Sequence, residues 1–152
     1  MTGQERRIVV GVDGSDSSKA ALRWAIRQAK LTGGSVDAVT VWRFPSAHGW
    51  APSPDGMPDL EAAAKSTLIA ALVKVSGLEP GVPVRLVVTE GDAARALLHA
   101  ARGADLLVVG SRGHGGFAPT LLGSVSMHCV LHAHCPVLVF RDGTGILEEG
   151  RP

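Results

Sequence analysis

The chain is short of three things, and each shortage excludes a class of protein. Only two cysteines, Cys129 and Cys135, occur in 152 residues. That is too few for a disulfide scaffold, and a reducing compartment keeps them as thiols, so no structural disulfide is expected. Charge is nearly balanced, 15 basic against 14 acidic residues for a formal +1. No basic stripe is present to attract a phosphodiester backbone or an anionic lipid surface, so neither nucleic acid nor membrane is an expected partner. Long apolar runs are also missing. The N-terminal "IVVGV" is too short for a signal-peptide core and far too short to cross a bilayer, which makes a cytoplasmic location the expectation.

A hydrophobic content of 45% with nine scattered prolines suits a soluble globular domain with one core. No internal repeat or low-complexity tract appears. One domain over residues 1–142 is expected, with residues 143–152 as a frayed tail.

Short β-branched or leucine-rich runs recur at Arg7–Asp13, Val36–Trp42, Val84–Thr89, Asp105–Gly110 and Pro136–Arg141. Between them lie stretches with helical spacing. Ser17–Thr32 sets Ala21, Leu22, Ala25, Ile26 and Ala29 on one stripe, with Lys19, Arg23, Arg27 and Lys30 mostly opposite. Further helices are predicted over Pro58–Ser76, over Asp92–Arg102 with Asp92 as N-cap, and over Thr120–Ala133. The order is βαβαβαβαβ. Strands joined by crossover helices run parallel, and runs such as "LLVV" and "VLVF" suit strands buried on both faces. The fold class is therefore α/β, a three-layer sandwich around a five-stranded parallel sheet.

In such sheets ligands settle beyond the carboxyl ends of the strands, where crossovers diverge to opposite faces. That singles out Val12, Asp13, Gly14 and Ser15 after the first strand, Trp42 onward after the second, Thr89–Gly91 after the third, and the glycine-rich "GSRGHGGFAPTLLGSVS" after the fourth. The segment Arg43–Pro58, with four prolines and no period, reads as a loop at this edge. His48 and Trp50 within it could close over a ligand, or simply belong to a solvated loop.

Gly110 ends a strand and Gly123-Ser124 begins or interrupts a helix, so backbone N–H groups there lack helical partners and suit phosphate oxygens. Glycine removes the Cβ from the anion's approach, and Ser124 and Ser126 add hydroxyls. The spacing is Gly110, two residues, Gly113, nine residues, Gly123, Ser124. This G-x2-G-x9-G-S arrangement resembles the nucleotide-binding signature of the universal stress protein family. "IVVGVDGSDSSKAALRWAIRQA" resembles that family's first strand and helix, and "GSVSMHCVLHAHCPVLVFR" its last helix and strand. The resemblance covers nearly the whole chain, the Pro-rich loop excepted.

The resemblance implies an adenine nucleotide alpha hydrolase-like sheet of order 3-2-1-4-5. It also implies ATP as ligand, with polyphosphate and ribose held by Gly110, Arg112, Gly113, Gly123, Ser124, Val125 and Ser126. Asp13 and Val41 match positions near the adenosine. Physically, Val41 could present backbone groups to the adenine edge, although simple sheet core explains it as well. Asp13 could accept from ribose hydroxyls or form an Asx turn with Gly14-Ser15, and Ser15 or Asp16 is the better helix cap. Arg112 and His114 could reach the terminal phosphates, or sit solvated in the loop. Whether Mg2+ accompanies the nucleotide stays open.

Rival readings fit less well. A Walker A loop needs G-x4-G-K-[ST]; Gly14–Lys19 lacks the second glycine and the hydroxyl after lysine. Gly113, Gly115 and Ala118 with Asp142 mimic a dinucleotide fingerprint, but this turn follows the fourth strand and leaves no second nucleotide half. "VDGSDSS" echoes the pyrophosphate loop of adenylating enzymes, yet places Asp13 where that loop wants glycine. The cluster "HCVLHAHC" suggests a metal, but Cys129 is expected to face the sheet and His128 and His132 solvent; no metal site is expected, and His99 reads as helix surface.

The expected function is an ATP-binding regulatory protein of the stress response. Hydrolysis is slow or absent, because the turn offers no acidic residue and no lysine to position water and stabilise charge. The alternative is a dimeric interaction protein of the same fold that does not depend on nucleotide. The fifth strand, at a sheet edge, is expected to pair a homodimer through Val137–Arg141.

Overall fold

The computed structural model describes residues 5–44, 59–111 and 122–141. Nine elements follow in strict alternation: β1 (Arg7–Gly11), α1 (Asp16–Thr32), β2 (Ser35–Trp42), α2 (Leu60–Ser76), β3 (Val84–Glu90), α3 (Ala93–Ala100), β4 (Leu106–Gly110), α4 (Ser124–His132) and β5 (Val137–Phe140). The strands form one sheet in the order β3-β2-β1-β4-β5, and every neighbouring pair is parallel. The expected class, order and alternation are all present.

The apolar runs are continuous because the inner strands are covered on both faces. Along β1, Ile8 and Val10 pack with Leu22, Ala25 and Ile26 of α1 and Leu68 and Ala71 of α2. Val9, between them, packs with Leu97 of α3 and Cys129 of α4. Alternate residues thus fill opposite layers. Each fully buried leucine or valine contributes roughly 1.5–3 kcal/mol by leaving water.

Local chemistry sets the helix boundaries. Ser15, Asp59 and Asp92 are N-caps whose side chains accept from Ser18, Ala62 and Arg95 amides, which satisfies donors the first turn leaves open. Consequently α2 starts at Leu60, not at Pro58, which lies outside the described residues, and α3 starts after Asp92 as expected. The helix expected from Thr120 begins at Ser124, with Gly123 extended as its N-cap. Helix α1 ends where Gly33 takes φ 70° and its N–H bonds the Ala29 carbonyl, a left-handed cap that glycine adopts without strain.

One polar feature at the amino end of the sheet is not evident from the sequence pattern. Asp37 lies in β2 at 4% exposure, held by Arg7 Nη1 at 3.0 Å and Arg85 Nη2 at 2.9 Å. The Arg7 guanidinium also donates to the carbonyls of Ala100 (2.9 Å) and Arg102 (2.6 Å), and its backbone N–H donates to Asp105 Oδ2 at 2.8 Å. Arg7 therefore ties β1, β2 and the carboxyl end of α3 together by charge-assisted bonds.

Candidate functional site

The topology locates the crevice. Helices α1 and α2 cover one face, α3 and α4 the other, so the chain changes face between β1 and β4, and the loops beyond their carboxyl ends part there. Val12–Ser15 forms one wall. Gly110, Ser111 and the start of α4 form the other. Beyond them β2 outruns β1: the β1 ladder ends at Gly11 opposite Val39, while β2 continues to Trp42, paired with Glu90.

On the β1 side, Val12 is core. Its N–H donates to the Val39 carbonyl at 2.8 Å, and its carbonyl accepts from Thr40 Oγ1 at 2.8 Å. Asp13 closes an Asx turn: Oδ1 accepts from the Ser15 amide at 2.9 Å and from Ser15 Oγ at 2.5 Å, with Gly14 at φ 86°. A left-handed residue is needed inside this turn, and glycine supplies it. Ser15 caps α1, the role expected for it or Asp16. Val41 is half-buried, with its side chain in the α3/α4 layer. Just beyond, Trp42 and Phe44 meet edge-on at 5.4 Å, an aromatic pair that periodicity did not single out.

Across the crevice, Gly110 serves close packing. A Cβ there would collide with Ser17 Oγ and stand 3.1 Å from the Ser18 amide nitrogen, so the end of β4 lies directly against the first turn of α1. Ser111 then joins the two ends of the glycine-rich segment. Its N–H donates to Phe140 O at 2.5 Å, and its carbonyl accepts from the Gly123 amide at 2.7 Å and from Ser126 Oγ at 2.9 Å. Ser126 Oγ also lies 3.0 Å from Gly123 O. The buried Ser126 hydroxyl therefore fastens α4 to β4, whereas Ser124 is exposed at the helix mouth. Arg112, Gly113 and His114 lie outside the described residues, as do His48 and Trp50.

Helix α4 differs from the other three at its start. Gly123 has no side chain and so supplies no side-chain cap of its own to the first-turn amides of Ser124, Val125 and Ser126, which have no intrahelical carbonyl to reach. The positive end of the helix dipole is thus presented beside Ser111.

The cysteines are not part of this chemistry. Cys129 is fully buried, as expected of a residue facing the sheet. Burial, and secondarily the charge of Asp92, pushes its pKa up to about 11. Burial also raises the Cys135 thiol. Both are free thiols, and a thiol held protonated is a poor nucleophile or metal ligand. Among the described residues no three His, Cys, Asp or Glu side chains converge on a metal position, and no helix is long and apolar enough to cross a membrane.

A doubly wound parallel sheet of order β3-β2-β1-β4-β5 with a helix N-terminus at its switch point defines the class: a three-layer α/β protein. Comparison with known proteins narrows this. The family model described as "Universal stress protein family" matches residues 5–141, and the chain belongs to that family. A universal stress protein of Mycobacterium tuberculosis is 34% identical over 139 residues, covering 91% of this chain and 46% of the relative. The chain thus spans about half the length of the curated relatives it matches. Among solved structures, UspA of Lactobacillus plantarum superposes with a TM-score of 0.73 at 23% identity, over 92% of this chain and 100% of the other. A universal stress protein solved in complex with cAMP has a TM-score of 0.64 at 25% identity, over 91% and 99%. Other structural relatives hold AMP and dAMP, at 22% and 21% identity. Adenine nucleotides are therefore ligands of structural relatives.

Proposed function

We propose that the chain binds ATP in the crevice between β1 and β4 and acts as a nucleotide-dependent regulatory protein of the stress response, with slow or no hydrolysis. The observation that carries this reading is the uncapped N-terminus of α4: main-chain amides and the exposed Ser124 hydroxyl face the place where a polyphosphate would lie. Gly110, Arg112, Gly113, His114, Gly123, Val125 and Ser126 complete the phosphate side. Asp13, within its Asx turn with Gly14 and Ser15, serves the ribose. Val41 lies beside the adenine, and Val12, whose backbone groups are already paired, leads into the Asp13 turn. The cAMP complex of a relative at 25% identity supports an adenine nucleotide as ligand.

Mg2+ would be held by the phosphates rather than by a dedicated protein cage. The reading includes a homodimer through Val137–Arg141, supported by the edge position of β5 and the unpaired groups such an edge presents. The protein is assigned to the cytoplasm.

Calorimetric titration with ATP, ADP, AMP, cAMP and NAD tests the ligand. ATP is expected to bind most tightly, and Gly113→Val with Gly123→Val to abolish binding. Absence of any nucleotide binding by the wild type refutes the proposal and leaves an interaction protein. Phosphate release near one per second would instead make it a catalyst.

A further inference from the structure

The second half of α4 carries a pair of imidazoles that the nucleotide site does not use. His128 and His132 are four residues apart, hence on one helix face. Both are exposed, and their ring centroids are 4.5 Å apart at an interplanar angle of 44°. With metal–nitrogen bonds of about 2.0–2.1 Å and ring centres about 1.1 Å beyond each nitrogen, two imidazoles at a cis angle of about 90° hold their centroids about 4.5 Å apart; a tetrahedral angle needs roughly 5.2 Å. The observed separation is the cis value.

We propose that His128 and His132 form a two-imidazole chelate for a divalent d-block ion that accepts cis nitrogen ligands, Cu2+ or Ni2+, with the remaining positions open to water or to a donor from another molecule. Three features support it. Imidazole is a good ligand for both ions, and their tetragonal or octahedral geometry provides cis positions near a right angle. His132 lies in the last turn of α4, where the negative end of the helix dipole favours a cation. Both rings reach solvent without disturbing the core, since the buried side chains of α4 are Ser126 and Cys129. Because only these two side chains are invoked, the site is an exchangeable one, unlike a closed four-ligand structural centre.

The test uses the full chain without a histidine tag, titrated with Cu2+ and separately with Ni2+ against a weak competing chelator, with electron paramagnetic resonance on the Cu2+ form. One ion per chain is expected, with a two-nitrogen superhyperfine pattern and tighter binding of Cu2+ than of Ni2+. Loss of a mere outer-shell partner weakens metal binding by about 10–100-fold, so His128→Gln and His132→Gln are each expected to weaken Cu2+ binding by at least about tenfold. His99→Gln and His134→Gln are expected to leave it unchanged. Wild-type affinity in both α4 variants, or loss of the site in His134→Gln alone, overturns the proposal. Circular dichroism of each variant separates lost ligation from lost folding. The outcome is independent of nucleotide binding, which is measured on the same variants.

Discussion

Gly110 offers a direct test of how the crevice is built. Replacing it by alanine adds a Cβ that collides with Ser17 Oγ and stands 3.1 Å from both Ser17 Cβ and the Ser18 amide nitrogen. Ser17 is 1% exposed, so its hydroxyl cannot swing into solvent, and the Ser18 contact is backbone that no rotamer change relieves. The end of β4 and the first turn of α1 must separate by a few tenths of an ångström. Overpacking of this kind costs about 1–3 kcal/mol, and the upper half of that range is expected because two of the three contacts are fixed. Urea denaturation of wild type, Gly110→Ala, Ser17→Ala and the double variant measures it, as a lower midpoint at unchanged slope. Removing Ser17 Oγ relieves the closest collision, so the two substitutions should couple favourably by at least about 0.5 kcal/mol. A Gly110→Ala loss below about 0.5 kcal/mol, or strict additivity, refutes the assignment of this glycine to close packing.

Two further outcomes follow from buried groups. Asp37→Ala takes the carboxylate from the Arg7 guanidinium, which keeps only the Ala100 and Arg102 carbonyls among the described residues. Breaking a buried pair costs about 3–5 kcal/mol, and the lower end is expected because the Arg85 side chain is 70% exposed; a urea midpoint corresponding to less than about 1 kcal/mol would show that water already screens the cluster. Cys129 keeps its proton up to about pH 11 in the folded chain against 9.0 as its ordinary value. The unfolded chain therefore releases that proton first, so stability is intact below pH 9 and falls as the pH rises towards 11, by roughly 2–3 kcal/mol. Parallel denaturation curves for wild type and Cys129→Ala should diverge in that window, and identical pH slopes would refute the account.

The strands and their parallel pairing are legible because double burial writes itself as uninterrupted valine and leucine, as in β1 and β4, and because helices alternate with them; their order is legible only through the family resemblance. Helix starts were less legible. A periodicity that runs through Pro58 or Thr120 says nothing of where a cap interrupts it, and the caps at Asp59 and Gly123 decide the matter. Asp37 is not legible in the sequence because one carboxylate in "SVDAVTVW" looks like an outward position. It points instead into the α3/α4 layer, where Arg7, thirty residues earlier, and Arg85, from the neighbouring strand, meet it; only the strand order brings the three together. At the crevice, the Asx turn of Asp13 was readable from "DGS", and Gly110 was readable as special. The reason for Gly110 was not, since its neighbour Ser17 comes from the far side of the switch point.

The two ends of the sheet are built from opposite chemistry. At the amino ends, Arg7, Asp37, Arg85 and Asp105 join β1, β2, β3 and the end of α3 with charge-assisted bonds. At the carboxyl ends of β1 and β4 the side chains are small: Gly14, Ser15, Ser17, Ser18, Gly110, Ser111, Gly123, Ser124 and Ser126. Small residues let β4 approach α1, and let Ser111 hold the start of α4 through two bonds to its carbonyl. A glycine cap gives up only a few tenths of a kcal/mol relative to serine, threonine, asparagine or aspartate. An aspartate there would occupy the open amides with its own carboxylate and set a negative charge against any incoming anion. The stability that α4 forgoes at Gly123 is thus small, and the fastening that replaces it, Gly123 N–H and Ser126 Oγ on the Ser111 carbonyl, uses neither the Ser124 nor the Val125 amide.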